Sequence, residues 1–326
     1  MPPARIRRRA ACLALALVVL DAASTALAQS PARERGVAQE PITPIPPAPP
    51  QDPHRVALGE RLFHDLRLSH DNARSCASCH DTRTNGATAN ARDPSPGGQP
   101  LALNTPTIFN VGLNFRLNWE GNFRGLEPQI GQAIASPGIM ASSVDEVVGK
   151  LQADPDMVSR FADAYGRGPD RATVLNAVAS FERSLVTPGS RFDRWLAGDH
   201  DAITPDELAG YQLFKSLGCI SCHQGVNVGG NLFQRHGVFH PLGSPEPALL
   251  RVPSLRNVAT TAPYFHDGSA ATLADAVRAM GRAQLDRALA DAQIAAIAAF
   301  LNTLTGRYNG APVTAGAAGP HATTSP

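Results

Sequence analysis

The chain has 326 residues, 43% of them apolar and 17% charged, with a formal net charge of +1. At roughly 100–200 residues per domain, that length suggests two domains. Near-neutrality gives none of the basic field that nucleic-acid binding needs. Residues 1–28 read as a signal peptide. Arg5, Arg7, Arg8 and Arg9 supply the positive start, "AACLALALVVL" an apolar core of 11 residues, and Ala26–Ala28 a small-residue cleavage site. A spanning helix needs about 20 apolar residues, so an exported, periplasmic protein without a membrane span is expected. Residues 29–50, ending in "EPITPIPPAPP", read as a proline-rich linker without core residues.

Beyond the linker the apolar pattern is helical. In chain order the helical segments include "PHRVALGERLFHD", "VDEVVGKLQ", "RATVLNAVASFERSLV", "TPDELAGYQLFKSL", "TLADAVRAM" and "DAQIAAIAAFLNTL". Thr204-Pro205-Asp206-Glu207 is a helix start signal. Strand-like alternation is nearly absent, so an all-α fold with long loops is expected. From Asn309 to residue 326 the composition is Gly, Ala, Thr and Pro, which reads as a disordered tail.

Two stretches carry chemistry: Cys76-x-x-Cys79-His80 and Cys219-x-x-Cys222-His223. Cys12 leaves with the signal peptide, so the other four cysteines all lie in these motifs and none is left for a structural disulfide. C-x-x-C-H reads as attachment of haem c. The two thiols add across the haem vinyl groups, and the adjacent imidazole lies under the ring and binds iron. A four-thiolate zinc site would leave both histidines unexplained. A thioredoxin-like pair expects a βαβ context in a reducing compartment, and a disulfide within each motif is the plain alternative in an oxidising one. Two complete motifs behind a signal peptide favour two covalent haems.

The chain also repeats itself. Gly59-x-x-Leu62-Phe63 precedes the first motif and Gly210-x-x-Leu213-Phe214 the second. "NTPTIFNV" (104–111) matches "RVPSLRNV" (251–258) at an offset of 147 residues, pairing Pro106 with Pro253, Asn110 with Asn257 and Val111 with Val258. The same offset pairs "WEG" (119–121) with "HDG" (266–268), and Leu126 with Leu273. Two cytochrome-c-like haem domains follow, over 51–203 and 204–308. The repeat separates the haems chemically. Met280 offers a thioether opposite His223, a closed site suited to electron transfer, although most helical Met residues simply pack in cores. Its counterpart is Ala133, which cannot bind iron. The first haem, on His80, is therefore expected to be open to a small ligand, with His64 and His70 as the residues most able to fold over it.

The strings LGERLFHDLRLS, SCASCH, LNTPTIFN, NWEG, GCISCH, VPSLRN, PYFHDG and TLADAVRAM, in this order within 51–307, resemble the bacterial di-haem cytochrome c peroxidase/MauG family. The resemblance implies that His80 is the proximal ligand of a peroxidatic haem and that His223 and Met280 hold an electron-transfer haem. It makes Trp119, otherwise a core tryptophan, a relay between them. It also implies a calcium site from Asn104 and the backbone carbonyls of Thr261 and Pro263, hard oxygen donors that suit that ion. The partners implied are hydrogen peroxide and a small electron-donor protein (a cytochrome c or a cupredoxin) or a protein substrate, with a homodimer as an option. Two departures stand out. The segment between Asp81 and Asn104 lacks the family's distal histidine, and Ile139 precedes Met140 where the family has a glutamate that moves protons. Glu120, Glu127, Asp145 and Glu146 are substitutes by type, although such residues favour surfaces and helix starts. Three functions remain open: a peroxidase, a MauG-like oxidase acting on Trp or Tyr of a partner protein, and a di-haem electron carrier or gas sensor.

Overall fold

The helix start marked at Thr204-Pro205-Asp206-Glu207 is used. A computed structural model describes residues 40–242 and 247–316; the expected signal peptide, most of the linker and residues 317–326 lie outside the described residues. Helix α1 (Pro53–Phe63) begins on Asp52, whose carboxylate accepts the amides of His54 and Arg55, with proline where no amide is needed. Helix α7 (Pro205–Ser216) begins on a Thr204–Glu207 capping box. Between them lie α2 (Leu126–Ala135), α3 (Val144–Gln152), α4 (Pro155–Tyr165), α5 (Arg171–Ser184) and α6 (Arg191–Leu196). Helices α8 (Leu273–Leu285) and α9 (Asp291–Asn302) follow. Sheet is confined, among the described residues, to two antiparallel pairs of two residues each: β1 (Phe233–Gln234) with β2 (Leu250–Arg251), and β3 (Arg307–Tyr308) with β4 (Ala311–Pro312).

The helices build two apolar cores. One holds Leu62, Phe63, Val147, Phe161, Val178 and Phe181; the other holds Phe192, Tyr211, Phe214, Ile297, Phe300 and Leu301. Each is centred on a crossing that a glycine makes possible. A Cβ at Gly59 would overlap the carbonyl oxygen of Ala177, and one at Gly210 that of Ala296. Helix α1 can therefore lie backbone to backbone on α5, and α7 on α9. An aromatic pair locks each crossing: Phe63 on Phe181 and Phe214 on Phe300, both at 5.2 Å between ring centroids.

A buried polar knot joins the two motif-bearing halves. Asn110 and Asn257, partners in the repeat, both adopt left-handed backbone (φ 62° and 61°). Their side-chain amides donate to one hydroxyl, that of the fully buried Thr187, at 2.8 and 3.0 Å. The amide of Thr187 returns a bond to Asn110 Oδ1 at 2.9 Å.

Both ends of the described chain depart from expectation. The linker is extended, yet Ile42 and Ile45 are buried and Ile42 joins the second core. Arg256 donates to the carbonyl of Thr43, and Gly225 to that of Pro41, both at 2.8 Å. Prolines keep this segment straight, and its two isoleucines are the aliphatic groups an extended strap presents. The stretch from Asn309 is not a disordered tail as far as residue 316. Asn309 and Gly310 (φ 48° and 78°) turn β3 into β4, the hairpin that an Asn-Gly pair favours, and Val313 is buried in the first core. Both contacts reach outside the expected domain limits of 51–203 and 204–308.

The crossings make a direct prediction. Gly59→Ala and Gly210→Ala should each destabilise the haem-loaded protein by about 1–3 kcal/mol, because backbone must move apart. Gly149→Ala in α3, whose added methyl meets nothing within 4 Å, should instead stabilise by about 0.5–1 kcal/mol. Urea denaturation midpoints decide; unchanged midpoints at Gly59 and Gly210 would refute the close crossing.

Candidate functional site

Each C-x-x-C-H motif folds into the same turn. Cys76–Ser78 and Cys219–Ser221 are single 3-10 turns. The amide of His80 donates to the carbonyl of Cys76 at 2.9 Å, and that of His223 to Cys219 at 3.0 Å. This i to i+4 closure gathers two thiols and one imidazole within one turn. No disulfide forms in either pair; all four thiols are free.

The imidazoles are oriented from behind. His80 Nδ1 lies 3.1 Å from the carbonyl of Gly86, and His223 Nδ1 3.3 Å from that of Val228. An Nδ1–H donated to a carbonyl leaves Nε2 as the free lone pair, the arrangement common to metal-binding histidines. Burial lowers the proton affinity of both rings, that of His223 to about 4, so both are neutral and able to ligate at pH 7.

The two turns open into one cavity of about 930 Å³. The residues expected to hold the haems, the relay and the calcium all line it: Cys76, Cys79, His80, Cys219, Cys222, His223, Met280, Trp119, Asn104, Thr261 and Pro263. Met280, on α8, faces the same space as His223. On the first side Ala133, Ile134, Ile139 and Met140 are the lining, with Gln129 one turn before Ala133 on α2. His64 and His70 do not line the cavity: His64 contacts the carbonyl of Glu60, and His70 pairs with Glu146. Trp119 is half-buried, held by a 2.7 Å bond from its indole N–H to the carbonyl of Asn104 and edge-on to His266 at 4.4 Å.

The four candidate substitutes for the missing acid are occupied elsewhere. Glu127 pairs with Arg183 at 2.6 Å, and Asp145 lies 3.6 Å from Arg171. Lys150 and His70 hold the Glu146 carboxylate well below its usual range, and exposed Glu120 accepts from Asn122 at 2.8 Å. None of them lines the cavity.

Sequence reasoning missed the groups that give the cavity its charge. Arg251 is 5% exposed and, among the described residues, has no carboxylate partner. Burial lowers its proton affinity to about 10, so it stays charged. It lies over the Trp119 ring at 5.3 Å. His266 Nδ1 and His236 Nε2 are buried without partners in the same wall. A buried unneutralised cation beside orphaned imidazole nitrogens fits an anionic group, as the propionates of haem would be. Thiol pairs, oriented imidazoles and this cationic wall together fit two haems. Arg251 ends the two-residue strand β2 and the histidines lie in loops, so no periodicity marked their burial. Glu182, also missed, lines the cavity from α5 with its Oε2 unpartnered.

Residues 53–201 match the di-haem cytochrome c peroxidase family and residues 208–305 the cytochrome c family. The chain is 42% identical over 287 residues to the cytochrome c551 peroxidase of Nitrosomonas europaea, covering 82% of this chain and 85% of that one. It is 34% identical over 281 residues to the methylamine utilization protein MauG of Methylorubrum extorquens, covering 80% and 77%. Among solved structures, a MauG-like protein associated with microbial copper homeostasis aligns with a TM-score of 0.69 at 26% identity, covering 81% of this chain and 93% of that one. Similarity at this level, across both attachment turns and the cavity between them, shows that the chain belongs to the di-haem cytochrome c peroxidase family.

Proposed function

We propose that the protein is a periplasmic peroxidase that reduces hydrogen peroxide at the first haem site with electrons delivered through the second. The observation that carries this reading is the shared cavity: two attachment turns face one space, which Met280 and Ala133, paired at the sequence offset of 147, both line. Haem iron supplies the redox chemistry, and the protein sets ligation, access and spacing. The overall reaction takes one peroxide, two electrons and two protons to two waters.

The two halves act as two haem domains related by the internal repeat, a reading supported by the matched glycine crossings and the matched asparagines. His80 would hold the first iron through Nε2, and Ala133, Ile134 and Ile139, which carry no ligating group, would leave that site free for peroxide. His223 and Met280 would hold the second iron, a ligand pair that raises the potential and suits electron receipt from a small cytochrome or cupredoxin. Trp119, fixed by Asn104 and Arg251, stands in the wall as the relay. Asn104 donates its side-chain N–H groups to the carbonyls of Asn90 and Ala91, which leaves Oδ1 and the carbonyls of Thr261 and Pro263 as the calcium donors. Export rests on the signal peptide; among the described residues no helix is long and apolar enough to cross a membrane. A second reading, a MauG-like oxidase of a partner protein's Trp or Tyr, is favoured by Ile139, which leaves that position without an acid.

Two outcomes test this reading. Met280→Ala should convert the second haem to a high-spin or water-ligated form and lower its potential, and unchanged optical and EPR spectra would remove Met280 as a ligand. In the fully oxidised wild type, without prior reduction, cyanide or azide should bind at once with one site per two haems. Two low-spin EPR signals and no cyanide shift would show the first haem closed and sink the open-site reading.

A further inference from the structure

The two halves place different residues at the same point of their cores. Phe181 lies over Gly59 and Phe300 over Gly210. The residue that follows each lines the cavity: Glu182 in the first half, Leu301 in the second. Both are nearly sealed from solvent, at 4% and 3% exposure. A carboxyl therefore occupies an apolar position on the peroxidatic side only.

Glu182 makes no ion pair of its own among the described residues. Its Oε2 is buried without a hydrogen-bond partner. On its own helix, Arg183 is committed to Glu127 of α2 at 2.6 Å. Helix α1 brings Leu58, Leu62 and Phe63 to this core, and α3 brings Val147 and Leu151. The 3-10 turn Val111–Leu113, also packed on α5, contains no titratable group. From the attachment turn the near group is Cys76, which carries no charge once it is a thioether. Burial pushes the carboxyl up to about 8, with Arg183 opposing and Glu127 adding to the shift. An orphaned buried carboxyl costs stability, and the cavity is the side on which Glu182 can meet a partner.

We propose that Glu182 couples a proton to the electron at the first haem: its carboxylate takes a proton from solvent when an electron arrives there and releases it when the electron leaves. This rests on the reading of that site as a redox haem. Added negative charge raises the carboxyl's proton affinity, and loss of that charge lowers it. The carboxyl would thus neutralise the change in a low-dielectric site, one proton for one electron. In the second half Leu301 can do no such thing, so that haem's potential should ignore this proton.

The test is a spectroelectrochemical titration of the haem-loaded protein from about pH 6 to about pH 10, with the two haems resolved optically and covalent haem content checked first. In the wild type the first-haem potential should fall as pH rises, by at most about 59 mV for each tenfold loss of protons in a one-electron couple. Glu182→Gln and Glu182→Leu should flatten that dependence and leave the second-haem potential unchanged. The redox infrared difference spectrum should lose a carboxylic-acid carbonyl band in both variants. A wild-type potential already flat with pH, or the same slope and band in both variants with two haems attached, would overturn the proposal and leave the site reading intact. Absence of haem at Cys76 and Cys79 in the wild type would overturn both.

Discussion

The hydroxyl of Thr187 is where the two halves become one molecule. Its two lone pairs are taken by Asn110 and Asn257, each of which follows its own half's attachment turn and lines up with the other in the repeat. A buried hydroxyl must be satisfied, and here its satisfaction requires both halves at a fixed separation. The left-handed backbone at each asparagine is a conformation asparagine tolerates better than most residues. The placement of the two attachment turns is thus constrained by buried polar bonds as well as by apolar packing.

Against that common frame, small differences do the chemical work. Met280 on α8 is paired with Ala133 on α2, and Leu301 on α9 with Glu182 on α5; all four line the cavity. The two halves share their glycine crossings, attachment turns and imidazole supports, and differ in a few side chains that line the cavity.

The parts of this arrangement that were legible in the sequence are those whose residue type is dictated locally. C-x-x-C-H is fixed by covalent reach and Gly59 and Gly210 by backbone contact, so each shows as a motif. Met280 emerged from the same comparison because a thioether and a methyl are chemically unlike. Glu182 stayed hidden because a glutamate in an amphipathic helix reads as its wet face, and only packing α5 among neighbouring elements turns that position inward. Arg251, His236 and His266 were equally silent, since a two-residue strand and loops have no period to violate. At the ends, composition misled: proline concealed two buried isoleucines, and a Gly/Ala/Thr/Pro stretch concealed an Asn-Gly hairpin.

Those ends also cross. Ile42, ahead of the first motif, packs in the second core, while Val313, beyond the last helix, packs in the first. Each half is therefore completed by chain that belongs, in sequence, to the other. A protease nick in the exposed turn at 197–201 would not release two separate cytochromes; it would leave two fragments clasped by exchanged arms, with both haem positions still facing one another. A gene cut at the same place would encode two proteins that each lack part of their own interior. The chain is in this sense a topological commitment: its two cores cannot be separated by simple division between them.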